Sequence, residues 1–490
     1  MFKTYNQDQN FLLPPSFSEF LWDDHEVILL NEIIEDINLS NLFSSYKNIF
    51  KWTSAFDPSM LLKVLFYWYM NQIFSSRRIA SKLKSDIAFM YLAWNNKPDF
   101  RTINRFRKDK WIILEEIFVQ IVIKAKELWL ISFWTVSLDW TKIYANASKE
   151  NNINLPNLEK TISDLFKEAE YIDSLEDDEL WDDDWSNIPL DLKTKEGRDK
   201  KRKEIEEKKK EFEWLSQELK NRIDSSKDWK KWPKWKVKAT QNMKINLTDK
   251  DSRLMQMKKK DFANWYNTQI LSENQIIVSS YISWNPTDFN ELIPALDKLQ
   301  KQYNQKPKEI LADKWYSSTE NYEYLENKNI DWYIPVFYEQ IKISDYIYHD
   351  SEDTYTDNNW NVFIFKQYMD SKDKNLKRWR QMKWNISKQE DFKVKLYESK
   401  NFNNSWKTKY LSINNDWLKY SQKQKEKLTS DYWKKLYSKR QTDVETVFAN
   451  IKNNLNFKKF QLRWLNWVNI EWNLITIAHN LKKIIRYQLF

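Results

Sequence analysis

Three acidic residues stand where carboxylates can do metal chemistry. Asp139 closes the apolar run Thr135-Val136-Ser137-Leu138, and Asp313 closes Glu309-Ile310-Leu311-Ala312. Glu445 lies in the helical stretch Asp443-Val444-Glu445-Thr446-Val447-Phe448. Two strand ends and a packed helix can hold three carboxylates around two divalent cations. Phosphodiester chemistry uses such a pair about 3.5–4 Å apart: one ion activates water or a 3′-hydroxyl and the other stabilises the leaving oxygen. Mg2+ takes oxygen ligands and few protein groups, with Mn2+ as a substitute, which suits a chain with 3 His and 0 Cys. A single Asp at a strand end is a weak sign; the triple on one element order is a stronger one. Lys452 lies two helical turns after Glu445, so the two share a face, and Tyr437 and Arg440 precede it. That face would carry cations aimed at phosphate beside a metal ligand. An ordinary amphipathic helix with a surface lysine fits the same pattern.

The elements that must position these residues follow from the periodicity. Apolar runs predict strands at 135–146, at Tyr266 to Ile270, at Gln275 to Tyr281, at Glu309 to Asp313 and at Tyr333 to Val336. Helices are predicted after Asp288, over Thr319 to Asn327, over Gln441 to Asn454 and over Ile470 to Ile485. The order β, insertion, β, β, α, β, α, β describes a mixed α/β sheet. The insertion, 155–232, has an acidic run from Glu176 to Asp184 and then a Lys/Glu-rich stretch from Arg198 to Lys220. It reads as a solvated helix or helical hairpin. Residues 337–436 are polar and give no clear pattern. Residues 1–130 read as helical, with a serine-capped start at Ser75-Ser76-Arg77-Arg78 and an arginine-bearing segment over Arg101, Arg105 and Arg107. Two short helices before an arginine-bearing one fit a helix-turn-helix-like DNA reader; a plain helical bundle with exposed arginines fits too. His479, on the apolar last helix, reads as a structural histidine.

Composition narrows the classes. Residues 421–490 carry 14 Lys and Arg against 5 Asp and Glu, which equals the +9 of the whole chain. A basic end points to a polyanion, or to a lysine-rich solvated surface. Without cysteine there is no disulfide, thiolate metal site or cysteine nucleophile. No apolar run reaches 18 residues and the start lacks a signal-peptide pattern, so no membrane partner and a cytoplasmic location are expected. The sequence has 1 Gly and 27 Trp, against a usual glycine content of about 7%. Trp stands where turn chemistry wants Gly, as in Lys51-Trp52-Thr53-Ser54, Ala93-Trp94-Asn95-Asn96 and Ser283-Trp284-Asn285-Pro286. The expectation is that most of these positions are glycine in the native protein, from a gene that reads UGA as Gly.

The sequence resembles the DDE transposases of bacterial insertion sequences, in the subgroup with an N-terminal helical transposase domain. The resemblance is carried by Asp57 to Lys63, Lys97 to Arg107, Asp139 to Ala147, Ala312-Asp313-Lys314-Trp315-Tyr316, Val444 to Lys452, and Phe460 to Lys482. It implies an RNase H-like catalytic domain, with Asp139, Asp313 and Glu445 as catalytic metal ligands for Mg2+. The family's Tyr–Arg–Glu–Lys signature falls on Tyr437, Arg440, Glu445 and Lys452, with four residues between Arg and Glu where three are usual. Relatives have Gly at the positions of Trp140, Trp315 and Trp464.

The resulting expectation is a helical N-terminal DNA-binding domain at 1–130, a catalytic domain at 131–154 and 233–490, and the charged insertion between. DNA contacts are expected at Arg77, Arg78, Arg101, Arg105, Arg107, Tyr437, Arg440 and Lys452. The partners would be transposon ends and target DNA, bound by a homodimer. A domesticated or decayed DNA-binding protein, or a stand-alone nuclease on the same fold, are the alternatives.

Overall fold

The computed structural model describes residues 16–46, 56–109, 111–174, 194–225, 243–256, 261–283, 288–336, 346–349, 351–358, 360–369, 394–399, 410–414 and 426–489, with 189, 192, 285, 420, 423 and 424. The acidic run at 176–184, and Trp52 and Trp284, lie outside them. The chain divides into two compact units. The first comprises Met1–Asn146, Trp265–Tyr338 and Tyr420–Phe490; the second comprises Ala147–Asn264 and Glu339–Lys419. Among the described residues no helix is long and apolar enough to cross a membrane.

The described strands, in chain order, are β1 (Thr135–Tyr144), β2 (Asn152–Asn154), β3 (Lys244–Asn246), β4 (Arg253–Gln256), β5 (Phe262–Glu273), β6 (Ile276–Ser283), β7 (Glu309–Ala312), β8 (Asp331–Tyr333), β9 (Tyr346–His349), β10 (Thr354–Asp357), β11 (Val362–Met369), β12 (Val394–Ser399) and β13 (Tyr410–Asn414).

The first unit is built on the sheet β6-β5-β1-β7-β8. β5 pairs antiparallel with β1 and β6, β7 lies parallel to β1, and β8 parallel to β7. Helices Leu292–Tyr303 and Thr319–Asn327 supply the connections to the parallel strands. This is the mixed α/β order read from the sequence, an RNase H-like sheet. The strands are short apolar runs with both faces covered, so Val136, Leu138, Ile270, Val278, Ile310 and Leu311 are fully enclosed. The last helix, Leu465–Leu489, packs on β6 and also on the N-terminal helices Pro58–Met70 and Trp111–Glu127. Pro58 occupies the first helical turn, and the Asp57 side chain accepts from the Ser59 and Met60 N–H groups, which sets the start of that helix.

The second unit contains two structures. Helices Leu155–Ser174 and Lys195–Ser225 form an antiparallel hairpin, as ion pairs Lys220–Glu159 (3.0 Å) and Lys201–Glu168 (3.1 Å) show. The hairpin has an apolar seam of Leu158, Leu215, Leu219 and Ile223, so it is more than a solvated charged rod. The other part is an antiparallel sheet, β13-β12-β11-β10-β9. It fills part of the stretch that gave no sequence pattern. Its core is a handful of side chains, Tyr355, Phe363, Tyr397, Leu411 and Ile413, spaced along strands of 4–8 residues among polar neighbours, which is too thin a signal for periodicity to reveal.

The backbone bears on the tryptophan excess. Trp94, Trp129, Trp360 and Trp464 have φ of 44°, 59°, 62° and 69°. In that region Cβ clashes and glycine is the default residue. Trp94 and Trp129 each end a helix in a Schellman motif. Asn95 N–H donates to Met90 O (2.9 Å) and Trp94 N–H to Tyr91 O. Leu130 N–H donates to Ala125 O (3.0 Å) and Trp129 N–H to Lys126 O. Trp360 sits in the β10–β11 turn, and Trp464 opens the last helix. The rings at 94, 129 and 360 are 84%, 91% and 81% exposed, so nothing in the packing calls for an indole. Trp140 and Trp315 do not have positive φ, so the backbone argument does not reach them.

Candidate active site

β1 and β7 lie side by side with Leu138 opposite Ala312. Asp139 and Asp313 are the next residue on each chain segment, neighbours across strands about 4.8 Å apart. Asp313 directly follows β7, while Asp139 lies midway along β1, which continues to Tyr144, so its expected place at a strand end is corrected. Glu445 comes from above them. The helix Asp431–Arg440 continues into a π-helical turn, Gln441–Glu445, then a short α segment, Thr446–Ala449, and a second π turn, Asn450–Asn454. The first π turn packs against β1, and the Ser272 hydroxyl donates to Asp443 O (3.0 Å), fastening it to β5.

The π turn accounts for the odd spacing between Arg440 and Glu445. One extra residue would rotate Glu445 by about 100° around an α-helix. A π turn closes i to i+5 bonds and absorbs that residue, and Arg440 and Glu445 both lie close enough to act on the charge of Asp139. Arg440 Nη2 lies 3.2 Å from Asp139 Oδ2, with both side chains largely covered (6% and 14% exposed). The Lys452 ammonium donates to the Thr141 hydroxyl, two residues past Asp139. Tyr437 stacks on Trp433 at 4.8 Å, and the Arg440 guanidinium lies over the Tyr437 ring. The four signature residues and the carboxylates Asp139 and Asp313 therefore occupy one corner.

The electrostatics of that corner centre on Asp139. Burial pushes its carboxyl up to about 6, against the pull of Arg440 and of the Trp140 N–H, and the charges of Asp313 and Glu445 push the same way as burial. The charges of Asp313 and Glu445 are thus close enough to oppose the ionisation of Asp139, which is the condition a cation relieves. Among the described residues, however, no three carboxylate or imidazole groups converge closely enough to grip one ion. Arg440 is the partner of Asp139, and Glu445 is exposed. The donor set, three carboxylates without sulfur or imidazole, fits a hard divalent cation.

The arginines foreseen as DNA contacts divide. Arg77, Arg78, Arg101 and Arg105 are exposed, on helices Ser76–Ser85 and Phe100–Asp109, and Arg77 and Arg101 both lie over the Phe100 ring (5.3 and 5.7 Å). Arg107 is buried: its guanidinium lies over Trp68 (5.5 Å) and donates to Asn104 Oδ1 (2.8 Å). Its expected DNA contact is therefore corrected: this arginine belongs to the core. The sequence carries the signal, since 103, 106 and 107 form one helical stripe. Arg440, foreseen as a phosphate contact, is likewise buried and taken by Asp139. His479 is a core histidine, hydrogen-bonded to Asn450 Nδ2 (2.8 Å) and Gln275 O (2.8 Å), and burial pulls it down to about 4. Sequence reading missed the polar residues Asn267, Gln269 and Asp288, buried beside β1; the density of amides along β5 was the available sign.

Fold and corner together define an α/β protein with a carboxylate on one central strand beside another that directly follows its parallel neighbour. Comparison with known families is more specific. Residues 398–485 match the family described as Transposase DDE domain, and residues 15–109 match a transposase domain. Both matched segments come from transposase families, which supports the resemblance to the DDE transposases of insertion sequences. The first segment contains Tyr437, Arg440, Glu445 and Lys452 and the second contains the exposed arginines; Asp139 and Asp313 lie outside both. No curated protein and no solved structure matches the chain.

Proposed function

We propose that this chain is a DNA transposase that binds the terminal inverted repeats of its element and cuts and joins DNA strands with Mg2+ held by Asp139, Asp313 and Glu445. Residues 1–130 supply end recognition, through Arg77, Arg78, Arg101 and Arg105. Residues 131–154 and 233–490 supply the chemistry, with 155–232 as an insertion. The observation that carries the reading is the register of β1 and β7, which sets Asp139 beside Asp313 under the turn that bears Glu445. A bound pair of divalent ions would supply nucleophile activation and leaving-group stabilisation. Arg440 holds Asp139 in place and shares its charge, and Lys452 and Tyr437 offer a cation and a hydroxyl to the phosphate backbone. Two DNA ends have to be brought together, so the protein acts as a homodimer on DNA.

The test is cleavage of a labelled element end by full-length protein in Mg2+ or Mn2+. Asp139→Asn, Asp313→Asn and Glu445→Gln should each abolish cleavage and leave end binding intact. A variant that still cuts removes that residue from the site.

A further inference from the structure

Beside the carboxylates, on the face of β5 that carries Gln269, lies a buried polar chain that the chemistry above does not use. Asp288 is 4% exposed, and among the described residues no cation pairs with it. Its Oδ1 accepts from Asn267 Nδ2 (3.0 Å) and Gln269 Nε2 (2.9 Å). Gln269 sits opposite Trp140, the residue after Asp139. Its remaining oxygen, Oε1, accepts from the Tyr316 hydroxyl at 2.6 Å. Tyr316 is itself fully buried and ends the short 3-10 turn that Asp313 begins: Tyr316 N–H donates to Asp313 O (3.0 Å), and Lys314 N–H to Asp313 Oδ1 (2.6 Å). Asn321 Nδ2 holds the Tyr316 carbonyl at 2.7 Å.

The chemistry of the chain gives it a direction. An ionised carboxylate only accepts, so Asp288 compels Gln269 to turn its NH2 inward and its carbonyl toward Tyr316. An amide left free to flip would offer Tyr316 a donor and leave the phenol's O–H without an acceptor, at the cost of a buried unsatisfied donor. A buried carboxylate without a cation is expensive to keep. Here its effect is to fix the far end of a three-residue turn whose near end is Asp313.

We infer that Asp288, Gln269 and Tyr316 form a positioning relay that sets the carboxylate of Asp313 for metal binding. The inference rests on the proposed reading of Asp313 as a metal ligand, and the experiment separates the two. Full-length wild type, Asp313→Asn, Tyr316→Phe, Asp288→Asn and the Tyr316→Phe/Asp288→Asn double variant are titrated with Mn2+. Bound metal is read from loss of the free-ion paramagnetic resonance signal, alongside melting and DNA-end binding. Tyr316→Phe and Asp288→Asn should each weaken Mn2+ binding about tenfold, as loss of an outer-sphere support does, with end binding kept. Because both act through one chain, the double variant should be no weaker than about twofold below either single one. Unchanged Mn2+ affinity in the single variants, or effects that multiply, overturns the relay. If one single variant does not melt cooperatively, the other decides. Wild type that binds no Mn2+, or Asp313→Asn that binds it like wild type, overturns the metal-site reading and the relay with it. Normal relay variants beside a defective Asp313→Asn overturn the relay alone.

Discussion

Replacing Trp94 and Trp129 with glycine should stabilise the unit that holds the candidate site. Both residues adopt left-handed backbone at the end of a helix, a conformation that costs a residue with a Cβ roughly 1–2 kcal/mol. Glycine loses more chain entropy on folding, which offsets about 0.5–1 kcal/mol of that relief. The rings are 84% and 91% exposed, so their removal forfeits little burial. The net gain is about 0.5–1 kcal/mol at each site. The two lie on separate helices and add, giving about 1–2 kcal/mol for the pair. With a denaturant slope of about 3 kcal/mol per molar, the urea midpoint should rise by about half a molar. The control is alanine at the same two positions, which removes the ring and keeps the Cβ. Alanine should give no such rise, and if it matched glycine the conformational argument would be refuted. Trp360→Gly should act in the same sense on the second unit. Peptide masses from the protein made in its native host test the origin of these residues: glycine at 94, 129, 360 and 464 is expected, and tryptophan there would reject reassignment of UGA.

Arg440→Gln should destabilise the first unit by about 3 kcal/mol, because it leaves a covered Asp139 without its cation; an unchanged urea midpoint would show that the pair is not held in solution. His479 is drawn down from 6.5 to about 4 by burial, so the folded protein binds fewer protons than the unfolded one between those values. Its contribution is fully present above about pH 6.5 and is lost as pH falls toward 4, by about 3 kcal/mol at the low end. Asp288, pushed up to about 6, acts in the opposite direction over nearly the same window. The clean measurement is therefore the difference between wild-type and His479→Gln stability against pH, which should be flat above pH 6.5 and fall with pH below it; parallel curves would reject it. On labelled element ends, Arg77→Ala and Arg101→Ala should weaken binding and each lower the salt slope by about one. Arg107→Ala should instead lower stability, seen in melting rather than in the salt slope.

The central sheet was legible because its strands begin as apolar runs. Asp313 directly follows the end of β7, whereas β1 runs on past Asp139 to Tyr144, so that carboxylate ends the apolar run and not the strand. What periodicity could not read has specific physical causes. Arg107 has the sequence profile of a surface arginine, and only its place on the stripe with Ile103 and Phe106 betrays a guanidinium covered by Trp68. β5 is buried on both faces along most of its length yet is rich in Asn, Gln, Ser and Thr, so its polarity looked like exposure when it was internal hydrogen bonding. Among the described residues, the β9–β13 sheet has only a small core around Tyr355, Phe363, Tyr397, Leu411 and Ile413. The signature helix is the most instructive case. Counted along the chain, Arg440 and Glu445 are one residue too far apart to share a helical face, and an α-helical reading would turn Glu445 away from Asp139. The π turn over Gln441–Glu445 converts that insertion into a local widening of the helix. What the site requires is therefore the placement of a guanidinium and a carboxylate beside Asp139 and Asp313. Spacing in sequence follows from that placement only while the helix between them is regular.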